Sequence, residues 1–173
     1  MAGQGFLARV AGKTKQLFGI QTSAGAADAG KIIALDSTGK LDSSFLPAGI
    51  GANTVSGLAS EALTAGAFVN LFDNNGALGV RLADNSNGRP AHGYVNSVVA
   101  SGAAATVNRL NTVNANRSGL VAGKEYWLGT AGGVAVTALD PADVANAGKV
   151  DQYLGVAKSE TELVTTEFEA VYL

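Results

Sequence analysis

The stretch Phe68-Val-Asn-Leu-Phe-Asp-Asn-Asn-Gly-Ala-Leu-Gly-Val-Arg-Leu-Ala83 decides the fold class. Leu78, Val80 and Leu82 alternate with Gly79 and Arg81, the period of a half-buried strand, and Phe68–Phe72, apolar but for Asn70, is of strand length. Asn74-Asn75-Gly76 lies between them and supplies residues that tolerate positive φ. The stretch reads as strand, tight turn, strand.

The same reading extends along the chain. Further strands are expected over Gly93–Ala100, Ala105–Leu110, Glu125–Leu128, Val134–Thr137, Gln152–Ala157 and Thr166–Tyr172. In the last, Phe168, Ala170 and Tyr172 alternate with Glu167, Glu169 and Val171. Asn87-Gly88 and Ala131-Gly132-Gly133 mark other turns. Short strands with frequent turn signals predict an all-β sandwich or compact β-barrel over residues 58–173. Leu63-Thr-Ala-Gly66 also matches Leu120-Val-Ala-Gly123, with Leu71 aligned to Leu128 and Gly76 to Gly133. A doubled β unit closing one barrel accounts for this; chance matching in a chain rich in Gly and Ala is the alternative.

Residues 1–57 read differently, as a long and mostly irregular N-terminal arm. Over 6–18 the spacing predicts a short helix, with Phe6, Leu7, Val10, Leu17 and Phe18 on one side and Arg9, Lys13 and Gln16 on another. Gly12 weakens it, and Gly19 is placed to end it. Its apolar stripe needs cover from the barrel, a partner or a membrane. Residues 21–57 offer one apolar run, Ile32-Ile33-Ala34-Leu35, then a turn at Ser37-Thr38-Gly39 and Phe45-Leu46 before Pro47.

Composition bounds the chemistry. The 173 residues are 47% apolar and 15% charged, enough for a core and lightly charged. Cysteine is absent and His92 is the single histidine. Disulfides, thiolate sites and multi-histidine metal sites are thereby excluded. The net charge of −2 advertises no nucleic-acid partner. The N-terminus carries Arg9, Lys13 and Lys15 without an acid, whereas residues 151–173 carry Asp151, Glu160, Glu162, Glu167 and Glu169 against Lys158. Opposite ends of neighbouring subunits could attract; solvated tails are the plain alternative. No run is long and apolar enough for a membrane helix or a signal peptide.

Catalytic motifs fail on inspection. Gly12-Lys13-Thr14 has Leu7, and Gly123-Lys124 has Ser118, where a phosphate-binding loop needs glycine. Gly49 and Gly51 are followed by Thr54 where a dinucleotide fingerprint needs its last glycine. The loops at Asp73–Gly76 and Asp84–Gly88 lack spaced carboxylates and a closing glutamate, so they are turns rather than calcium sites. Asn116-Arg117-Ser118 matters as a glycosylation sequon only in a secreted eukaryotic protein. His92 has no nucleophile setting and reads as structural. The aromatics Tyr94, Tyr126, Trp127, Tyr153 and Tyr172 read as core or interface fillers, since no basic residues flank them as in an RNA-binding pattern. No catalytic, cofactor or metal residues are expected, nor nucleic-acid or membrane partners.

Ala29-Gly-Lys-Ile-Ile-Ala-Leu-Asp36, Ser-Thr-Gly-Lys-Leu-Asp42 and Ser-Ser-Phe-Leu-Pro47, followed by Gly49-Ile50-Gly51, resemble a segment of tailed-phage structural proteins. The succeeding Ala59-Ser-Glu-Ala-Leu-Thr-Ala-Gly66, Ala91-x-Gly-Tyr-Val95, Gly119-Leu-x-Ala-Gly123 and Tyr126-Trp-Leu128 extend the likeness over residues 24–172. Together they are similar to phage capsid decoration (cement, or head-fibre) proteins. The first 20 residues match no such pattern. The resemblance implies a homotrimeric virion protein, assembled in the bacterial cytoplasm. It would bind the major capsid protein on the outer surface of the head and stabilise the shell. The expected capsid contacts are Phe6, Leu7, Arg9, Val10, Lys13, Lys15, Leu17, Phe18, Ile32, Ile33 and Leu35. The alternative is a tail-fibre or receptor-binding β module that attaches to the host surface, which exposed aromatics beside polar loops would favour.

Overall fold

A computed structural model describes residues 5–46 and 53–173. The first four residues, Pro47 and the Gly49-Ile50-Gly51 of the phage-like segment lie outside the described residues. Those described form strands and short 3₁₀ turns with no α-helix, so the chain is all-β. It divides into two compact units, Met1–Ala52 and Asn53–Leu173.

The second unit opens with β3 (Thr54–Ala59), a strand that runs across the compositional boundary at 57/58. Its inward positions are Val55, Gly57 and Ala59. A Cβ on Gly57 would stand 2.8 Å from the Leu78 carbonyl oxygen and from Val80, so glycine permits the close approach of the neighbouring strand. Next come β4 (Phe68–Asn74), β5 (Ala77–Leu82), β6 (Gly93–Val95) and β7 (Ala104–Arg109). These five strands close a barrel in the order β3-β5-β4-β6-β7. The β4–β5 hairpin turns through Asn75 and Gly76 at φ 55° and 84°, the two positive angles of a type I′ turn. Val69, Val80, Val95, Ala105 and Val107 fill the interior and are fully buried.

A second sheet has the order β10-β9-β12-β13-β8. Its strands are β8 (Val113–Asn114), β9 (Glu125–Leu128), β10 (Val134–Ala135), β12 (Tyr153–Ala157) and β13 (Leu163–Thr165). Tyr126, Leu128, Leu154 and Leu163 from this sheet pack on Phe68, Tyr94 and Leu110 from the barrel side, making a second core between the two layers. Phe68 and Tyr94 meet edge to face at 6.2 Å. Alternation explains both cores: Phe68 and Tyr94 point out of the barrel while Val69 and Val95 point in.

Several expectations need correction. The matching segments do not close one barrel: Leu63–Gly66 leads into the barrel hairpin, whereas Leu120–Gly123 leads into β9 and β10 of the open sheet. Gly66 and Gly123 do share a left-handed backbone, at φ 77° and 79°. The strand expected over Thr166–Tyr172 is mostly a strap. Only β14 (Val171–Tyr172) pairs, with β11 (Val150–Asp151), and the sheet strand is Leu163–Thr165 instead. The strap is held by polar bonds, the Glu167 N–H donating to Asn111 Oδ1 at 2.8 Å.

The first unit contains β1 (Gly5–Val10) and β2 (Lys13–Phe18), an antiparallel hairpin where a helix over 6–18 is expected. Ala11 and Gly12, at φ 50° and 77°, form a two-residue turn. A left-handed pair cannot sit within a right-handed helix, and it matches the twist of a hairpin. The spacing that looks helical is split by the strand period. Phe6, Val10, Lys13, Lys15 and Leu17 lie on one face, and Leu7, Arg9, Gln16 and Phe18 on the other.

Candidate interaction surface

The remainder of the first unit is built from short side-chain-capped turns. Asp28 accepts from the Ala24 N–H and from Lys31 Nζ, each at 2.6 Å. Asp36 Oδ1 accepts from the Thr38 N–H and hydroxyl and from the Lys40 N–H at 2.7–3.0 Å. These bonds, the Lys40 N–H foremost, hold the Asp36 carboxyl below its ordinary range. Asp42 accepts from the Ser44 N–H at 2.9 Å. Each carboxylate of the phage-like segment thus closes a turn.

The apolar residues between these turns are left uncovered. Ile20 and Ile33 form an isolated parallel bridge, with the Ile20 N–H donating to the Ile32 carbonyl and the Ala34 N–H to the Ile20 carbonyl, both at 2.9 Å. Gly19 passes so close that a Cβ there would stand 2.8 Å from that of Ala34. Ile32, Ile33 and Leu35 nevertheless remain 50–57% exposed. On the hairpin Leu7 is 74% and Phe18 57% exposed, and Val10 and Leu17 are also exposed. Among the described residues of this unit none is buried. Arg9, Lys13 and Lys15 join no ion pair among the described residues.

The structure therefore places the expected contact residues in two groups, the two-faced hairpin and the Ile32–Leu35 run. It does not gather Phe6, Leu7, Val10, Leu17 and Phe18 on one stripe. Arg9 points away from Lys13 and Lys15.

His92 lines a cleft of about 340 Å³ with Pro90, Leu110, Gln152, Glu167 and Phe168. Its Nδ1 accepts from the Leu71 N–H at 2.9 Å, which leaves the proton of the neutral ring on Nε2. Burial, and then the nearby Arg109, push its pKa below the usual histidine value, against the opposing pull of Glu167. Arg109 pairs with Glu167 at 3.4 Å. The nitrogen that a general base would use is committed to the backbone, which makes His92 a structural acceptor. Asp73 and Asp84 are likewise turn residues. Asp73 accepts from the Gly76 N–H at 2.8 Å, and Asp84 from the N–H groups of Ser86 and Ala131 at 2.8 and 2.9 Å.

A second surface escapes composition-based reading. Trp127, Tyr153 and Phe168 make two edge-to-face contacts, at 5.5 and 5.3 Å between ring centres, on the outside of the open sheet. Tyr94 and Tyr126 are core, whereas Tyr172 is exposed. Strand alternation separates Tyr126 from Trp127, but only the bulge at Tyr153/Gly155 brings Tyr153 opposite Trp127.

No protein-family model matches the chain, and no curated protein matches it. Among solved structures it is similar to the N base of head fiber gp8.5 in bacteriophage phi29, at a TM-score of 0.43 and 16% identity. The similarity covers 67% of this chain and 97% of that one.

Proposed function

We propose that the protein is a structural component of a phage head. In this reading it is a trimer on the outer capsid surface, and its first unit grips the major capsid protein so that subunits are held together. The carrying observation is that this unit exposes Leu7, Phe18, Ile32, Ile33 and Leu35 and buries no described residue of its own. A two-stranded hairpin is marginal alone in water, so such a surface calls for a partner to cover it. The resemblance of residues 24–172 to decoration proteins supports the major capsid protein as that partner. Arg9, which shares a face with Leu7 and Phe18, would meet shell carboxylates and add a salt-sensitive component to binding.

The experiment is to delete residues 2–20, and separately to make Leu7→Asp with Phe18→Asp, and to measure binding to undecorated shells at low and high salt. Binding should fall in both variants, and wild-type binding should weaken with salt without vanishing. Unchanged affinity would leave the arm a passive tail. The role is non-catalytic, a reading supported by the backbone-bound Nδ1 of His92; hydrolysis of cell-wall polymer, ester or nucleotide that His92→Ala abolishes would overturn it. A receptor-binding module is the second reading, favoured by exposed Phe168 and Tyr172 near Glu167 and Glu169. It requires binding to host cells that survives loss of the arm.

A further inference from the structure

We infer that other copies of this chain cover the outer face of the β10-β9-β12-β13-β8 sheet. The inference rests on the trimer reading above and gives that trimer a surface. Register sets out the face. Val113 lies opposite Val164, Val164 opposite Val156, and Val156 opposite Glu125, a row that crosses four strands. Its three valines are 37–42% exposed. Beside it Trp127 lies opposite Tyr153, and Phe168 of the strap packs edge-on against Tyr153.

This arrangement is built rather than incidental. An ordinary strand would send Tyr153 and Val156 to opposite faces, being three residues apart. The bulge turns both outward while Leu154 stays in the core. It depends on Gly155, whose backbone at φ 145° and whose missing Cβ leave room for the Val164 carbonyl. The barrel provides the contrast. Of the outward cross-strand pairs of β3 and β7, Thr54 with Asn108 and Ser56 with Thr106 are polar, as a solvated sheet requires, and Leu58 with Ala104 is the apolar exception. The open sheet breaks that rule.

Size and charge favour a second copy as the occupant. The half-exposed valines and Phe168, at 55% exposure, form an apolar patch next to the Trp127–Tyr153 pair, and a standard interface covers roughly 800 Å² on each partner. The edge strands β8 and β10 have two residues each, so a partner gains little by adding a strand and must pack on the face. Glu125 is the one charge in the row, whose other three positions are valines. A nearly neutral patch can face another copy of itself without repulsion. Its two unlike halves, valine row and aromatic cluster, allow the heterologous contact that closes a ring.

The test is light scattering of the free full-length chain, with chemical cross-linking of the same proteins seated on shells. Val164→Glu and Phe168→Glu strike the two halves, Val164→Thr keeps the β-branched shape, and Thr106→Glu marks the barrel face. Both glutamate variants should become monomers with wild-type circular dichroism. Val164→Thr should weaken the trimer by roughly tenfold or more, and Thr106→Glu should leave it intact. A wild-type trimer that persists in Val164→Thr and Phe168→Glu overturns the face and spares the trimer. Loss of shell binding with the trimer intact would assign the face to the capsid instead. A wild-type chain that is monomeric both free and on shells would remove the trimer itself.

Discussion

The backbone N–H of Leu71 donates to Nδ1 of His92 at 2.9 Å, tying a barrel strand to the single histidine of the chain. Protonation of Nδ1 would break that bond and set a cation near Arg109. The folded pKa lies below the ordinary histidine value of 6.5, so between the two values the unfolded chain binds more protons than the folded one. The stability this group contributes is complete above the unfolded value and is lost as pH falls through the folded one. Unfolding midpoints should drop on acidification below about pH 6.5, and the slope in that window should flatten in His92→Gln. His92→Ala should also cost about 1–3 kcal/mol at pH 7.5, by leaving the Leu71 N–H unpaired. An unchanged slope in His92→Gln would place the titration elsewhere.

Gln152 offers a sharper stability test. Its buried amide accepts from the Ala91 N–H at 2.7 Å and donates to the Ala91 carbonyl at 2.9 Å, joining positions 61 residues apart. Gln152→Ala strands both backbone groups and should cost about 2–4 kcal/mol in denaturant unfolding. Gln152→Glu keeps the acceptor and loses the donor, so its deficit should shrink as pH falls and the carboxyl protonates. Equal deficits at all pH would mean that packing rather than hydrogen bonding dominates.

Much of the barrel is legible because its signals are local. Asn75-Gly76 demands a turn, and Leu78, Val80 and Leu82 alternate beside it. β3 is hidden because its inward positions Gly57 and Ala59 are small, a requirement set by strands distant in sequence. The bulge at Gly155 is equally silent, since nothing near it announces the Val164 carbonyl that excludes a side chain. For the surface, the apolar residues of the arm are readable as uncovered, but which of them share a face depends on strand or helix. Phe6 and Leu7 look like neighbours on a helix and stand on opposite faces of the hairpin.

The Ala11-Gly12 turn gives the last prediction, in which strand and helix demand opposite signs. Gly12 has φ 77°, and a Cβ there would meet no atom within 4 Å, so Gly12→Ala introduces backbone strain alone. In the hairpin that strain costs about 1–2 kcal/mol. In a helix the same change would stabilise by roughly 1 kcal/mol. Ala11 already carries such strain at φ 50°, and Asn tolerates that region better, so Ala11→Asn should strengthen the turn. Amide exchange and cross-strand proximities over residues 5–18 provide the readout. Gly12→Ala should speed exchange and weaken the Phe6–Leu17 contact, and Ala11→Asn should do the reverse. Slower exchange with helical chemical shifts in Gly12→Ala would restore a single apolar stripe. The two-faced surface, with Arg9 turned away from Lys13 and Lys15, would then no longer describe how the arm meets its partner.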